Sequence, residues 1–323
     1  MEIADPDSDG YLAAAGRRLR FREAQPEDVP ELSRLFTSVF GSPMTPELWR
    51  WKYRRFAAVD AINVVGCTED GRIRAHMGAQ VFLDPWVRGS VSPWIHGCDV
   101  MVDPAVRGSP SLRGAYGGIV RALQHAIDDC FPGGFCYGFP GERPHRLGER
   151  LGFYRPLHRI SLASLRLGAI RHRRRLWPRL GSLATTEELA DLSKTGSERG
   201  VQRTADYLRW RYDAHPGRSY GAWVWRAGWR RHEGIVIEEA ADSWTVVDIL
   251  GHPVLDTAPL FRLAFAAQRV GRTILRWDAD WTPHGFAGAE AQSTGIVAVW
   301  IRTPKGRNEA SGLRLRPADT DVF

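Results

Sequence analysis

The sequence predicts an α/β (α+β) chain made of two tandem domains of one plan, each a mixed, mostly antiparallel sheet flanked by helices. Three observations carry this. At 323 residues the chain exceeds one ordinary domain, since domains run to roughly 100–200 residues. The stretch LWRWKY, Leu48 to Tyr53, has a near copy in YLRWRY, Tyr207 to Tyr212, where Arg50, Trp51, Lys52 and Tyr53 meet Arg209, Trp210, Arg211 and Tyr212 at a constant offset of 159 residues. The elements after each copy also come in the same order.

The first domain opens with RLRFREA, which alternates as a strand. QPEDVPELSRLFTSVFG follows, with Val29, Leu32, Leu35, Phe36 and Val39 at helical spacing and Gly41 as the stop. TPELWRWKY reads as a short second helix, with Thr45 as N-cap and Pro46 and Glu47 in the first turn. Its aromatic residues are expected to pack on the sheet. Three strands then form an antiparallel meander: AINVVGCTED, RIRAHMGAQVFLD after the Asp70-Gly71 turn, and VSPWIHGCDVMVD after a loop at Arg88 and Gly89. A helix bearing Ile119, Ala122, Leu123, Ala126 and Ile127, the short strand GFCYGF, a helix through GERPHRLGERLG and the closing strand FYRPLHRISLASLRL complete the domain.

The text changes at GAIRHRRRLWPRLGSL, where Arg171, Arg173, Arg174 and Arg175 crowd together. Without interleaved aromatics this reads as a linker rather than an RNA-binding arm. The second half repeats the plan: helices TEELADLSKTG and TADYLRWRY, strands YGAWVWRAG, RRHEGIVIEEA and SWTVVDILG, helix APLFRLAFAAQRVG, strand TILRWDAD, a helical TPHGFAGAEA and strand GIVAVWIRTP. The expected layout is a flexible tail over 1–16, a first domain over 17–165, a basic linker over 166–184, a second domain over 185–304 and a flexible tail over 305–323.

Composition narrows the function classes. An apolar fraction of 43% and a charged fraction of 25% are those of a globular chain with a sizeable core. The formal charge of +7 rests almost wholly on arginine, since Lys52, Lys194 and Lys305 are the only lysines. That surplus favours an anionic partner without naming one. Cys67, Cys98, Cys130 and Cys136 have neither C-x-x-C spacing nor a His pair, so neither a zinc site nor a disulfide framework is expected, and no metal. An acidic start, MEIADPDSDG, and no apolar run near the roughly 18 residues of a membrane span point to a cytoplasmic protein without a membrane partner.

The informative window is CDVMVDPAVRGSPSLRGAYGGIVRAL, Cys98 to Leu123. A buried strand ends at Val102, Pro104 breaks it, and a loop with Arg107, Gly108, Arg113 and Gly114 opens a helix at Ala115, Tyr116, Gly117 and Gly118. Glycines let backbone N–H groups approach a ligand, and a helix N-terminus flanked by arginines suits phosphate. The spacing is neither a Walker loop nor a dinucleotide fingerprint.

Together with CYGFPGERPHRLGERLGFY downstream and LRFREAQPEDVPELSRLF upstream, this window resembles the GNAT family of acetyl-CoA-dependent N-acetyltransferases. The family pattern runs V-x-P-x-x-R-G-x-G-x-G, helix, strand, then N-x-x-A-x-x-L-Y-x-x-x-G-F. The resemblance covers about Leu19 to Leu165, and the second half looks like a degenerate copy, so the chain resembles a tandem GNAT protein.

The resemblance implies an acyltransferase that moves an acetyl group from acetyl-CoA, its cosubstrate, to a small-molecule amine in a ternary complex. The pyrophosphate would fall to Arg107, Gly108, Arg113, Gly114, Ala115, Tyr116, Gly117 and Gly118, and the thioester carbonyl to backbone N–H groups around Met101 and Val102. For the base, His96 and Asp99 stand where family members place an imidazole or carboxylate. His145 is expected to be exposed.

Three departures stand out. The loop carries extra residues, Gly148 replaces the tyrosine that protonates the departing thiolate, and Gly141 stands where the family often has Asn. Tyr137, Tyr116 and solvent are the remaining proton sources. The second domain writes GHPVLDTAPLF where the first has its arginine-glycine loop, and Asp256 or Thr257 capping the helix there would repel phosphate. Two other readings stay open: a non-catalytic binding or scaffold protein of this fold, and an aminoacyl-tRNA-dependent transferase. Nucleic acid is otherwise disfavoured as a partner.

Overall fold

The computed structural model describes residues 11–12, 18–53, 60–82, 93–108, 111–169, 182–194, 201, 203–227, 230–251, 257–282, 288–306, 315 and 319. The arginines at 171, 173, 174 and 175, the loop at Arg88 and Gly89, the Asp256 cap and residues 283–287 of the expected helix TPHGFAGAEA lie outside them, and the end of that stretch, Glu290 and Ala291, is not helical but opens the strand Glu290–Ile301.

The chain divides into two compact units, one of Met1–His158 with Val297–Ser311 and one of Arg159–Ile296 with Gly312–Phe323. The first unit contains, in chain order, β1 (Tyr11–Leu12), β2 (Arg18–Glu23), α1 (Val29–Phe40), α2 (Pro46–Lys52), β3 (Ile62–Cys67), β4 (Ile73–Phe82), β5 (Trp94–Val102), α3 (Ala115–Cys130), β6 (Phe135–Gly138) and α4 (Glu142–Arg150). β1 to β5 pair antiparallel in sequence order, and β6 then joins β5 parallel. β1 lies in the stretch expected as a flexible tail, where Tyr11 pairs with Leu19.

Helix ends follow local chemistry. α1 has proline in its first turn and stops at Gly41, whose φ of 73° is the left-handed cap that glycine adopts without strain. α2 starts as expected, with the Thr45 hydroxyl accepting from the Leu48 amide at 3.1 Å. One face of the sheet packs Leu19, Val64, Ala75, Met77 and Val102 against Ile119, Leu123 and Ile127 of α3. The opposite face packs Val65, Ile73 and Met101 against Leu32, Leu35 and Trp49 of α1 and α2. Fully burying each such side chain contributes about 1.5–3 kcal/mol.

The second unit contains β7 (Tyr154–Arg166) from Arg159 onward, then β8 (Ser182–Leu183), α5 (Thr186–Ser193), α6 (Ala205–Leu208), β9 (Tyr220–Ala227), β10 (Arg230–Glu239), β11 (Ser243–Leu250), α7 (Thr257–Arg269) and β12 (Ile274–Asp278). A single π-helical turn, Arg209–Asp213, extends α6 through the repeated aromatic stretch. β8 to β11 pair antiparallel in order, and β12 joins β11 parallel.

The closing strands differ from the expected layout. Leu162–Arg166 of β7 pairs antiparallel with β12 in the second unit, while the end of β13 (Glu290–Ile301) supplies Val299 and Trp300 to β6 in the first. Each sheet is thus finished by a strand from the other half of the sequence. Alternation identified both strands but carries no information about their partners. Among the described residues no helix is long and apolar enough to cross a membrane.

Candidate active site

In the first unit, β5 and β6 pair only from Trp94↔Phe135 to Gly97↔Gly138. β5 then runs on to Val102 against β4 alone, so the two strands part. Glycines at the fork leave room on both strands: a Cβ on Gly138 would lie 3.0 Å from the Gly97 carbonyl oxygen, and one on Gly97 would lie 2.6 Å from Cδ1 of the Ile301 side chain. Just past the fork β5 is bulged. Gly78 pairs with Cys98 and His76 with Met101, which sets Asp99 and Val100 opposite Met77 alone. Asp99 has φ 50°, the one non-glycine residue with positive φ among those described.

The bulge decides which amides face the gap. The Asp103 N–H bonds the Arg74 carbonyl on β4 at 2.8 Å, so strand alternation turns the Met101 amide toward β4 as well and the Val102 peptide groups to the other side. The Val102 carbonyl there accepts from Arg107 Nε at 2.9 Å. Of the two expected amides, Val102 therefore points into the gap and Met101 into the sheet.

Beyond Val102 the chain forms a tight turn, Pro104–Val106, capped by Asp103, which accepts the Ala105 amide at 2.8 Å. Against the upward push of burial, that amide and Arg74 hold the Asp103 carboxyl below its ordinary range. Arg107, Gly108 and Arg113 are exposed, and Ser109 and Pro110 lie outside the described residues. Helix α3 then starts at the N-cap Gly114 with no side-chain acceptor and no acidic residue in its first turn. Its first intrahelical bond, Gly118 N–H to the Gly114 carbonyl, leaves the Ala115, Tyr116 and Gly117 amides facing outward from the helix end. Gly117 is required here, because a Cβ would lie 2.5 Å from the Leu112 carbonyl oxygen. This donor set fits a pyrophosphate.

His96 is buried, with its ring stacked on Tyr137 at 5.1 Å and edge-on to Phe139 at 5.6 Å. Its Nδ1 lies 3.1 Å from Gln80 Oε1. Gln80 donates its amide nitrogen to the Lys52 carbonyl at 2.8 Å and so presents only an acceptor to the imidazole. In a neutral His96 the proton is therefore on Nδ1, and the basic lone pair is on Nε2. Asp99 has a different setting. Its carboxylate pairs with Lys52 Nζ at 2.7 Å and accepts the Tyr53 hydroxyl at 2.6 Å, with both charged side chains at most 10% exposed. Burial first, then the Asp99 charge, push the Tyr53 hydroxyl well above its ordinary range, so Tyr53 remains the donor. The Asp99 carbonyl accepts from His76 Nδ1 at 3.1 Å, and His76 Nε2 lies 3.0 Å from Asn63 Oδ1; a neutral ring has its one proton on Nδ1, so Nε2 is satisfied when the Asn63 amide turns its nitrogen toward it. Burial pushes His76 down to about 3, which keeps it neutral.

No family model matches the chain, and no curated protein matches it by sequence. Solved structures do match by shape. A protein of unknown function from Enterococcus faecalis V583, described as a probable N-acyltransferase, superposes with a TM-score of 0.62 at 14% identity, over 88% of this chain and 72% of that one. A GCN5-related N-acetyltransferase from Kribbella flavida gives 0.57 at 13% identity, over 87% and 71%. A tandem GNAT protein from the clavulanic acid biosynthesis pathway gives 0.57 at 14% identity, over 88% of this chain and 98% of that one. The fold is that of the GCN5-related N-acetyltransferases. At these identities the likeness concerns the fold alone.

Against the GCN5-related pattern, the position of the missing phenol is informative. A Cβ on Gly148 would lie 2.2 Å from the ring of Tyr154, so that ring fills the space a side chain at 148 would need. Burial pushes Tyr154 up to about 12, with the neighbouring Tyr116 hydroxyl pulling it back. Burial first, then Tyr154, raise Tyr116 in turn. The sequence reading missed Tyr154, whose only signal was its place directly after Gly152-Phe153. Tyr137 is fully buried in the aromatic cluster of Trp94, His96, Phe135 and Phe139. His145, expected to be exposed, is buried beside Glu149, its Nε2 3.9 Å from that carboxylate.

The second unit of this tandem fold also has a carboxylate on its strand β11. Asp248 on β11 accepts the Tyr212 hydroxyl at 3.0 Å and Arg203 Nε at 2.9 Å, and Arg203 also reaches Asp319 at 2.6 Å. No group of three His, Cys, Asp or Glu able to hold a metal occurs among the described residues.

Proposed function

We propose that the chain is an acetyl-CoA-dependent N-acetyltransferase whose one competent site is in the first unit and whose acceptor is a small-molecule amine. The observation that carries this is the α3 N-terminus: three outward amides behind an uncapped Gly114, at the end of a loop that Arg107 ties to Val102. Ala115, Tyr116 and Gly117 amides would take the pyrophosphate, with Arg107 and Arg113 beside it. The Val102 N–H would take the thioester carbonyl and the negative charge that develops there, a contact worth more in the tetrahedral state than in the ground state.

The reaction balances without a further co-reactant. The amine nitrogen forms a bond to the carbonyl carbon, the carbon–sulfur bond breaks, and sulfur leaves with the electron pair. The new ammonium proton passes to His96 Nε2, directly or through one water, and the thiolate takes a proton from Tyr154 or solvent. Asp99 is not the base in this scheme, because its charge is committed to Lys52. Attack is direct within a ternary complex. None of the four cysteines is in a disulfide, which suits a reducing cytoplasmic setting.

The test is thiol release from acetyl-CoA across a panel of amines, with Arg107→Ala and Gly117→Ala run in parallel. Turnover with at least one amine, reduced in both variants at sub-saturating acetyl-CoA, is expected. A chain that releases no thiol and gains no thermal stability from acetyl-CoA would instead be a non-catalytic member of this fold, the reading that the buried His96 and committed Asp99 favour.

A further inference from the structure

The duplicated W-[K/R]-Y stretch supplies no reacting group to the chemistry above, yet both copies converge on one kind of feature. In the first unit Lys52 and Tyr53 meet Asp99 at the bulge of β5. In the second, Tyr212 meets Asp248 on β11, where Val246 pairs with Ile237 and Asp248 with Val236, leaving Val247 as the extra residue. A bulge with a carboxylate, held by a tyrosine from the repeated helix, thus occurs twice.

The first copy is bound from several directions. The hydroxyl end of the Tyr53 ring packs on Gly78, opposite Cys98, where a Cβ would come within 2.5 Å of it. His76 holds the Asp99 carbonyl from β4 while Lys52 and Tyr53 hold its side chain from α2. Asp99 keeps a left-handed φ of 50° under these ties, a conformation that non-glycine residues adopt at some cost. Because alternation along a strand has a period of two, a bulge lost from β5 would exchange the directions of the Met101 and Val102 amides.

We propose that Lys52 and Tyr53 are positioning residues which, through Asp99, fix the β5 bulge and so aim the Val102 amide into the gap between β5 and β6. The proposal rests on the acyl-transfer reading for its functional consequence, and on the structure alone for the clamp. Coenzyme A shares the pyrophosphate but lacks the thioester carbonyl, so a slackened bulge weakens acetyl-CoA and spares coenzyme A.

The test uses the full chain and Tyr53→Phe, which keeps the ring on Gly78 and removes the hydroxyl, with Asp99→Asn as a second variant of unchanged shape. Amide hydrogen exchange over Cys98–Val102 is read without ligand, and binding of acetyl-CoA and coenzyme A by calorimetry. Expected are exchange about tenfold faster at the bulge, and an acetyl-CoA preference reduced about fivefold with coenzyme A affinity unchanged. Unchanged exchange in both variants overturns the clamp. Faster exchange with equal weakening of both ligands, or with the preference intact, overturns the positioning role. A wild-type chain that binds neither form overturns the acyl-transfer reading, and the exchange measurement then decides the clamp by itself.

Discussion

The Tyr53 hydroxyl donates a 2.6 Å hydrogen bond to Asp99, 46 residues away, and Lys52 Nζ neutralises the same carboxylate at 2.7 Å. Both charges are nearly enclosed, so removing one partner should cost more than the pair contributes. Lys52→Met is expected to destabilise the chain by about 3–5 kcal/mol, because a carboxylate is left buried with one hydroxyl as its neutral partner. Adding Asp99→Asn to Lys52→Met should recover much of the loss. Chemical denaturation of the two single variants and the double variant checks this, and additive losses would show that the two side chains act independently.

Gly117 lets the Ser111–Leu112 backbone close over the start of α3, which the proposed phosphate site requires. Any Cβ there meets the Leu112 and Ser111 carbonyl oxygens at 2.5 and 2.7 Å, and these are backbone atoms that cannot rotate aside. Gly117→Ala should therefore push the loop off the helix end and lower coenzyme A affinity by about tenfold or more, equivalent to about 1.4 kcal/mol. Calorimetric titration of coenzyme A reads the effect directly. Arg107→Ala should also weaken binding, since it releases the Val102 carbonyl and removes a cation.

Local features were legible in the sequence and remote ones were not. Thr45 and Gly41 bound their helices as expected because a cap depends on a few neighbouring residues. The arginine-glycine loop and the helix at Ala115 were likewise readable from one continuous stretch. The exchange of closing strands was hidden, since Leu162–Arg166 has the same pattern whichever strand it joins. Asp99 looked like a candidate base because its commitment to Lys52 spans 47 residues. Gly148 looked like a simple loss, whereas the ring of Tyr154, six positions on, occupies the space.

That substitution of place gives a third prediction. Gly148→Ala brings a methyl group to 2.2 Å from the Tyr154 ring, which is 5% exposed and has little room to move. Overpacking of this kind costs about 1–3 kcal/mol. Tyr154→Ala alone should cost about 3–5 kcal/mol by opening a cavity. In the double variant Gly148→Ala with Tyr154→Ala, the methyl group enters the space that the ring vacates, and the combined loss should be clearly smaller than the sum of the single losses. Thermal melts of the single and double variants decide whether the two positions share one space.

His76 predicts how stability responds to acid. Burial pushes the imidazole down to about 3 in the folded chain, whereas an unfolded histidine titrates near 6.5. Between those values the unfolded chain holds a proton that the folded one refuses, so stability rises with pH across this window and falls as pH drops from about 6.5 toward 3. The loss has an upper bound of about 5 kcal/mol, from ~3.5 pH units at ~1.4 kcal/mol each. Asp28 and Asp103, both held below the usual carboxylate range, lose their contribution in the same direction, but only as pH falls through their own lowered values. The two sources therefore separate along the pH axis. His76→Gln, which keeps a donor toward the Asp99 carbonyl and cannot titrate, should lie below the wild type in stability at neutral pH and show a flatter limb between about pH 6.5 and 5. Denaturation midpoints taken at half-unit intervals would reveal it, and a variant whose limb is as steep as the wild type's would mean that acid acts elsewhere in the fold.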